Sequence, residues 1–326
     1  MIKSLLFGLP VGLAFGFVLQ RGRFCMNTAF RNLLFTRDLT LFRAYILAVI
    51  IQMTLVNILN HLGWIEVSRP PFYWMANIAG GFIFGLGMVL AGGCASAIWF
   101  RSGEGMLGSV VAVAGLLSGI FLSGTAILRP IIKTFQVNVI SVGTEDATLY
   151  NLLGANQWLT IGIIAVVAGA WVLRAPSKGY QGGWDWKLTG AALGIIGSLA
   201  WLASSETGRR YGLSSIEGSR AISLLLTSGE LSRVNWATLM LLGIPLGSFI
   251  SARIFGEFMW RSPGFKRIAQ TFSGGFMMGT GGVIAGGCTI GHGITGVSLL
   301  AMGSVVSLIF IVLGGWTMTY ILFGSS

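Results

Sequence analysis

Apolar runs near the length that crosses a hydrocarbon core, about 20 residues, recur along the 326-residue chain at approximately 2–20, 41–62, 74–99, 105–128, 157–173, 187–204, 236–255, 269–289 and 296–323. Short polar stretches separate them. Nine such segments predict an all-α integral membrane protein, because a backbone facing lipid must satisfy its hydrogen bonds within its own helix. Two longer polar stretches, Ile131–Gln157 and Ser205–Asn235, leave room for caps or short surface helices, and both fall on the N-terminal side. Neither has the composition of a soluble domain, so 1–326 reads as one integral domain. The first run, Leu5 to Leu19, is followed by Arg21 and Arg23 rather than a small-residue cleavage site. It reads as a mature segment.

Composition agrees with the pattern. Hydrophobic residues make up 54% of the chain and charged residues 10%, with a mean hydropathy of +0.80. Ten acidic residues cannot wet the surface of a soluble protein this long, which excludes soluble enzymes, disordered scaffolds and nucleic-acid binders. Alternating the segments across a bilayer assigns thirteen of the 21 Lys and Arg residues to one face, including Arg21, Arg23, Arg31, Arg37 and Arg43 in the first loop, Lys178, and Arg261 to Arg267. The positive-inside bias makes that face cytoplasmic, with the N-terminus outside and the C-terminus inside. The net charge of +11 then needs no nucleic acid.

Glycine stands at 49 positions, about twice the usual share, and part of it is organised. Gly80–Cys94 reads GGFIFGLGMVLAGGC and Gly274–Cys288 reads GGFMMGTGGVIAGGC, ten identities in fifteen positions at an offset of 194. Packing helices of the small-xxx-small type account for the glycines but not for a cysteine closing each copy. The span count places the copies in segments of opposite direction. This predicts an inverted, pseudo-twofold repeat with halves carrying 80–94 and 274–288, an arrangement that puts a site where broken helices meet near the midplane. Gly92-Gly93 and Gly286-Gly287 let the backbone leave helical geometry. Cys94 and Cys288 would then sit at the first turn of short helices, whose unpaired N–H groups attract anions. Irregular backbone at that depth is tolerated where it is buried or lines a wet cavity.

The third cysteine, Cys25, lies in RGRFCMNTAFRN just past the first span. Three dispersed cysteines form no disulfide framework, and each also fits the role of a small buried hydrophobe. On the predicted topology Cys288 approaches from outside, Cys94 from inside, and Cys25 lies nearest the cytoplasm. Asn27 is placed either to bond a substrate oxygen or to cap a helix. His292 lies four residues after Cys288, on the same helical face. Two histidines and three scattered cysteines argue against a closed metal site, and no cofactor is expected. Arg101 and Glu104 are either a local ion pair or part of a gate, and Trp64, Tyr73, Trp74, Trp184 and Trp186 mark span ends.

The blocks GRFCMNTAFRN, GGCASAIWFRSGEG and GGCTIGHGITG resemble the signature blocks of the YeeE/YedE family of bacterial inner-membrane sulfur-transport proteins. The resemblance extends over nearly the whole chain and departs at Ala97 and Phe100, where the family often has Gly and Tyr. It implies thiosulfate uptake with Cys25, Cys94 and Cys288 in the path, spanning helices with half-inserted helices between them, and a small cytosolic sulfur-carrier protein as partner. Some relatives are associated with selenium, so a related sulfur or selenium species is an alternative substrate. A membrane thiol enzyme passing a persulfide is the alternative from another class. It lacks a C-x-x-C motif and an acid–base pair beside a thiol, so a transporter and not an enzyme is expected.

Overall fold

The computed structural model describes residues 2–126, 128–137, 139–142, 145–175 and 183–324. It is helical almost throughout. Helices α1 (Ile2–Arg21), α2 (Met26–Leu34) and α3 (Thr40–His61) are followed by α4 (Trp74–Leu90), α5 (Ala95–Gly103), α6 (Leu107–Ser123) and α7 (Leu128–Phe135). Beyond them come α8 (Leu149–Leu153), α9 (Gln157–Arg174), α10 (Trp186–Ser205), α11 (Ser215–Ser228), α12 (Trp236–Ile254), α13 (Phe265–Ala285) and α14 (Met302–Phe323). A π-helical turn, Gly291–Gly296, lies between α13 and α14. Three short antiparallel strands, β1 (Phe72–Tyr73), β2 (Val139–Val142) and β3 (Glu145–Asp146), clip the loops together, with Phe72 opposite Ile140 and Ser141 opposite Asp146.

Among the described residues, six helices are long and apolar enough to cross a bilayer, or seven if the bent pair α6–α7 is one span. The sequence pattern gave nine segments. Those at 2–20, 105–128 and 269–289 are also helices, α1, α6 and α13. Helix α6 stops after 17 residues at Gly124. Lys178, counted with the cationic face, lies outside the described residues. The stretch Ser205–Asn235 departs from expectation: α11 is no surface helix, since Ile216, Gly218, Ser219, Ala221 and Ile222 are buried in the bundle. Helix α9, by contrast, exposes Leu159, Ile163, Val166 and Val167, an apolar face suited to lipid.

The glycine-rich stretches set the helix pairing. Helix α4 lies antiparallel to α13, and the contacts are reciprocal. A Cβ at Gly80 would lie 2.7 Å from the Gly281 carbonyl oxygen and one at Gly274 2.7 Å from that of Gly87; a Cβ at Gly87 would meet the Gly274 oxygen at 2.6 Å and one at Gly281 the Gly80 oxygen at 2.8 Å. Backbones this close exclude any side chain and maximise dispersion contact, the main adhesive between helices in lipid. Gly81 and Gly85 of α4 close in the same way on Ser307 and Ile311 of α14, and Gly275 and Gly279 of α13 on Ala112 and Leu116 of α6. Pairs α1/α12 and α3/α10 join through Gly12 and Gly247 and through Gly190 and Gly194.

Candidate functional site

Each cysteine follows the same turn. Helix α4 ends with Gly92 in the left-handed region, φ 76°, and the Gly93 N–H donates to the Met88 carbonyl at 3.0 Å. Helix α13 ends with Gly286 at φ 80°, and the Gly287 N–H donates to the Gly282 carbonyl at 2.9 Å. Both are Schellman-type stops, in which a residue of positive φ lets the chain turn back on the last carbonyls. Helix α1 ends likewise, with the Phe24 N–H on the Leu19 carbonyl at 3.0 Å, but Arg23 occupies the left-handed position at φ 47°. That conformation costs a residue with a Cβ about 1–2 kcal/mol. Two residues beyond each stop stand Cys25, Cys94 and Cys288. Cys25 and Cys94 are the extended N-cap residues of α2 and α5, and neither side chain makes a capping hydrogen bond.

The strain at Arg23 is offset by its partners. Its guanidinium reaches Glu104 and Glu257, each at 2.7 Å. Arg21 pairs with Glu257 at 3.1 Å, Gln20 donates to Glu257 at 2.5 Å, and Ser251 donates to Gln20 at 2.6 Å. The network ties the ends of α1, α5 and α12 directly beside the Cys25 turn. Burial of Glu104 pushes its carboxyl above the ordinary value, against the charges of Arg23 and Arg101. Glu257 goes the other way: partial burial opposes it, but the Gln20 hydrogen bond and the charges of Arg23 and Arg21 hold it below the ordinary value.

All three thiols are buried, with 1%, 1% and 0% exposure for Cys25, Cys94 and Cys288. The Cys25 and Cys94 side chains are neighbours, and Cys94 Sγ lies 3.4 Å from Ser96 Oγ. Cys288 Sγ accepts from the Gly291 N–H at 3.3 Å. Its neighbour in space is one that the sequence reading missed. Ser214, the N-cap of α11, accepts from the Glu217 N–H at 3.4 Å. A Cβ placed on Gly291 would lie 3.6 Å from Ser214 Oγ and 3.8 Å from Cys288 Sγ. Hydroxyl and thiol thus converge on one point, as the Cys25 and Cys94 thiols do. Tyr211 adds a hydrogen bond to the Gly291 carbonyl at 2.8 Å. Only the helix–turn–helix spacing around Ser214 could have flagged it, since no motif marks it.

A cavity of about 350 Å³ lies at each of the two Gly-Gly turns. One is lined by Gly286, Ser214, Tyr211, Arg69, Arg220 and Glu217. The other is lined by Gly92, Arg101, Ser109, Arg261, Arg267 and Thr271. Gly92 and Gly286 correspond in the two sequence copies, so the cavities open at equivalent places.

The remaining predicted residues divide. Asn27 is buried in the first turn of α2 and donates to the Met88 carbonyl at 3.4 Å; the cap itself is Cys25. His292 is buried with Nδ1 3.1 Å from Ser304 Oγ and Nε2 3.1 Å from the Ala285 carbonyl, so both ring nitrogens are engaged by the protein. Gly93 and Gly287 serve space rather than φ. A Cβ at Gly93 would lie 3.0 Å from that of Ala97, and one at Gly287 2.8 Å from His292 Nε2. No group of three or more metal-ligating side chains occurs among the described residues.

Residues 21–317 match the family described as sulphur transport. The chain is 37% identical over 328 aligned positions to the thiosulfate transporter TsuA of Spirochaeta thermophila, covering 97% of this chain and 98% of the relative. It is 31% identical over 343 positions to the thiosulfate transporter TsuA of Escherichia coli, covering 99% and 96%.

Proposed function

The chain belongs to the sulphur-transport family, and from that premise we propose that it carries thiosulfate into the cell along Cys288, Cys94 and Cys25, in that order from outside. The observation that carries the reading is the recurrence of one turn: a helix stop, then a cysteine at the start of a short helix, with Cys94 and Cys288 at the ends of two antiparallel, reciprocally packed segments. We read those segments as an inverted repeat. Counting α1, α6 and α13 as spans gives nine crossings, the N-terminus outside and the C-terminus in the cytoplasm. The face holding Arg21, Arg23, Arg101, Arg261 and Arg267 is then cytoplasmic, as suits the inner membrane of a bacterium. A small cytosolic sulfur carrier, as acceptor, would meet the chain there.

Thiosulfate is a dianion with a polarizable terminal sulfur. Helix N-termini supply about half a positive charge each, and neutral thiols supply soft contacts that hold it without trapping it. Because the thiols are buried, passage requires the short helices to move. No covalent step is needed.

Uptake of sulfur-labelled thiosulfate into proteoliposomes containing only this chain tests the reading. Luminal accumulation that Cys94→Ala or Cys288→Ala abolishes is the expected result. Label retained as a covalent protein adduct, with none in the lumen, overturns it in favour of a sulfur-transfer enzyme.

A further inference from the structure

Around the cavity at Gly92 the charge is unbalanced in a way the cysteine path does not require. Its lining includes Arg101, Arg261 and Arg267, and none of the three has a carboxylate within ion-pair distance among the described residues. The cavity at Gly286 differs. There Glu217 is part of the lining, and Arg69 is paired with Asp146 at 3.6 Å. Two similar hollows at equivalent turns therefore present different fields, and the one beside Cys94 is the more attractive to an anion.

The cations are placed rather than scattered. Arg101 Nη1 donates to the Gly92 carbonyl at 2.6 Å, which pins the guanidinium against the turn two residues before Cys94. Arg267 Nη2 would lie 3.7 Å from a Cβ on Gly92, so a second guanidinium flanks the same turn from α13. Arg261 closes the far wall, held by backbone bonds between Arg261 N–H and the Gly105 carbonyl at 3.0 Å and between Leu107 N–H and the Arg261 carbonyl at 3.0 Å. Guanidinium forks match the oxygens of tetrahedral oxyanions. Arg261 and Arg267 are exposed, which keeps such a site wet and exchangeable.

We propose that this cavity is a binding site for a small divalent oxyanion, which takes thiosulfate as it leaves the Cys94–Cys25 pair. The transit role rests on the reading given above; the anion site does not. A dianion leaving an apolar thiol pair must regain polar contacts before it reaches bulk water, and the Arg101 and Arg267 guanidinium groups beside the turn, with Arg261 in the cavity lining, supply them. Arginine responds to charge and oxygen, so this site binds sulfate about as well as thiosulfate. Selection for sulfur happens earlier, at the thiols. Exposed charges are screened by salt, so binding weakens as ionic strength rises.

Ser262 lines the cavity and is exposed, while the native cysteines are buried. Full-length Ser262→Cys protein, labelled with monobromobimane and freed of excess reagent, is placed in phosphatidylcholine nanodiscs and titrated with thiosulfate and with sulfate at constant ionic strength. A saturable fluorescence change with both anions is expected, with midpoints raised at least about tenfold when Arg267→Gln or Arg261→Gln removes a charged donor. The absence of a saturable change, or a change indifferent to both substitutions, overturns the site. So does a response seen only with phosphatidylglycerol in the disc, which assigns the pocket to a lipid headgroup. A protein that takes up no thiosulfate yet gives the bimane response would sink the transport reading and leave the anion site standing.

Discussion

Adjacent glycines at the Cys288 turn are required for different reasons, and single substitutions separate them. Gly286 has open space around a would-be Cβ but sits at φ 80°. Gly286→Ala should therefore cost about 1–2 kcal/mol in backbone strain alone. Gly286→Asn should cost clearly less, because Asn tolerates the left-handed region. At Gly287 the problem is contact: a Cβ would lie 2.8, 2.9 and 3.2 Å from three atoms of the His292 ring. Overpacking of this kind costs about 1–3 kcal/mol. Displacing the ring also loses its bonds to Ser304 and to the Ala285 carbonyl. That carbonyl keeps the Asn77 side-chain donor at 3.2 Å, so the second loss is a net hydrogen bond of about 1 kcal/mol rather than an orphaned group. Gly287→Ala should thus be the worse of the two, by about 1–2 kcal/mol. The assay is thermal unfolding of the purified protein in detergent, run as a double-mutant cycle with His292→Ala. The cycle should return a favourable coupling for Gly287→Ala and none for Gly286→Ala. If Gly286→Asn is as damaging as Gly286→Ala, the φ argument fails; if His292→Ala leaves the cost of Gly287→Ala unchanged, the contact argument fails.

Gly87→Ala pushes a methyl group to 2.6 Å from the Gly274 carbonyl and should destabilise the α4/α13 pair by several kcal/mol, whereas Gly162→Ala on the open face of α9 should stabilise by about 0.5–1 kcal/mol; melting temperatures of the same sign for both would refute the packing analysis. Glu257 titrates below the ordinary glutamate value in the folded protein, so its contribution is complete at neutral pH and is lost as pH falls below about 4.3 toward the folded value. Glu257→Gln should remove that acid-side loss of stability, and an unchanged pH–melting curve would argue against the network. In uptake competition, unlabelled thiosulfate should displace label far better than sulfate, since only the terminal sulfur meets the thiols; equal displacement would remove the soft-contact account.

The sequence pattern located every long helix but misjudged what lay between them. Periodicity of apolar residues finds helices whose burden is hydrophobic, so α3, α4 and α14 stood out. The polar stretch Ser205–Asn235 reads as caps or short surface helices, yet Ser215, Ser219 and Ser223 of α11 are buried, among neighbouring helices where small polar groups pack closely. The repeated Gly-Gly-Cys exposed two turns outright. The third, at Cys25, has the same backbone with Arg23 in the glycine's place, and nothing local announces it, because the ion pairs that hold Arg23 come from Glu104 and Glu257, 81 and 234 residues away. The approach of Ser214 and Cys288 to Gly291 was illegible for a related reason: it depends on α11 and the turn after α13 meeting in space.

Ser214 is the internal comparison for the cysteines at these caps. Thr148, Asn156, Asp185, Ser214 and Asn235 cap their helices by accepting from first-turn N–H groups, whereas the N-caps Leu39, Tyr73, Met106, Gly264 and Ala301 make no side-chain bond. At α2 and α5 the chain places Cys25 and Cys94, which make no such bond, and forgoes about 1 kcal/mol per helix. Stability therefore predicts that Cys94→Ser is neutral or raises the melting temperature, since the hydroxyl can cap α5. Function predicts the opposite. The serine keeps a donor of similar size but loses the polarizable sulfur, so initial thiosulfate uptake in proteoliposomes should fall by an order of magnitude or more while the protein remains folded. A Cys94→Ser protein that is less stable than wild type would show that the thiol is structural, and one that transports thiosulfate as well as wild type would show that any hydrogen-bonding group at the turn suffices.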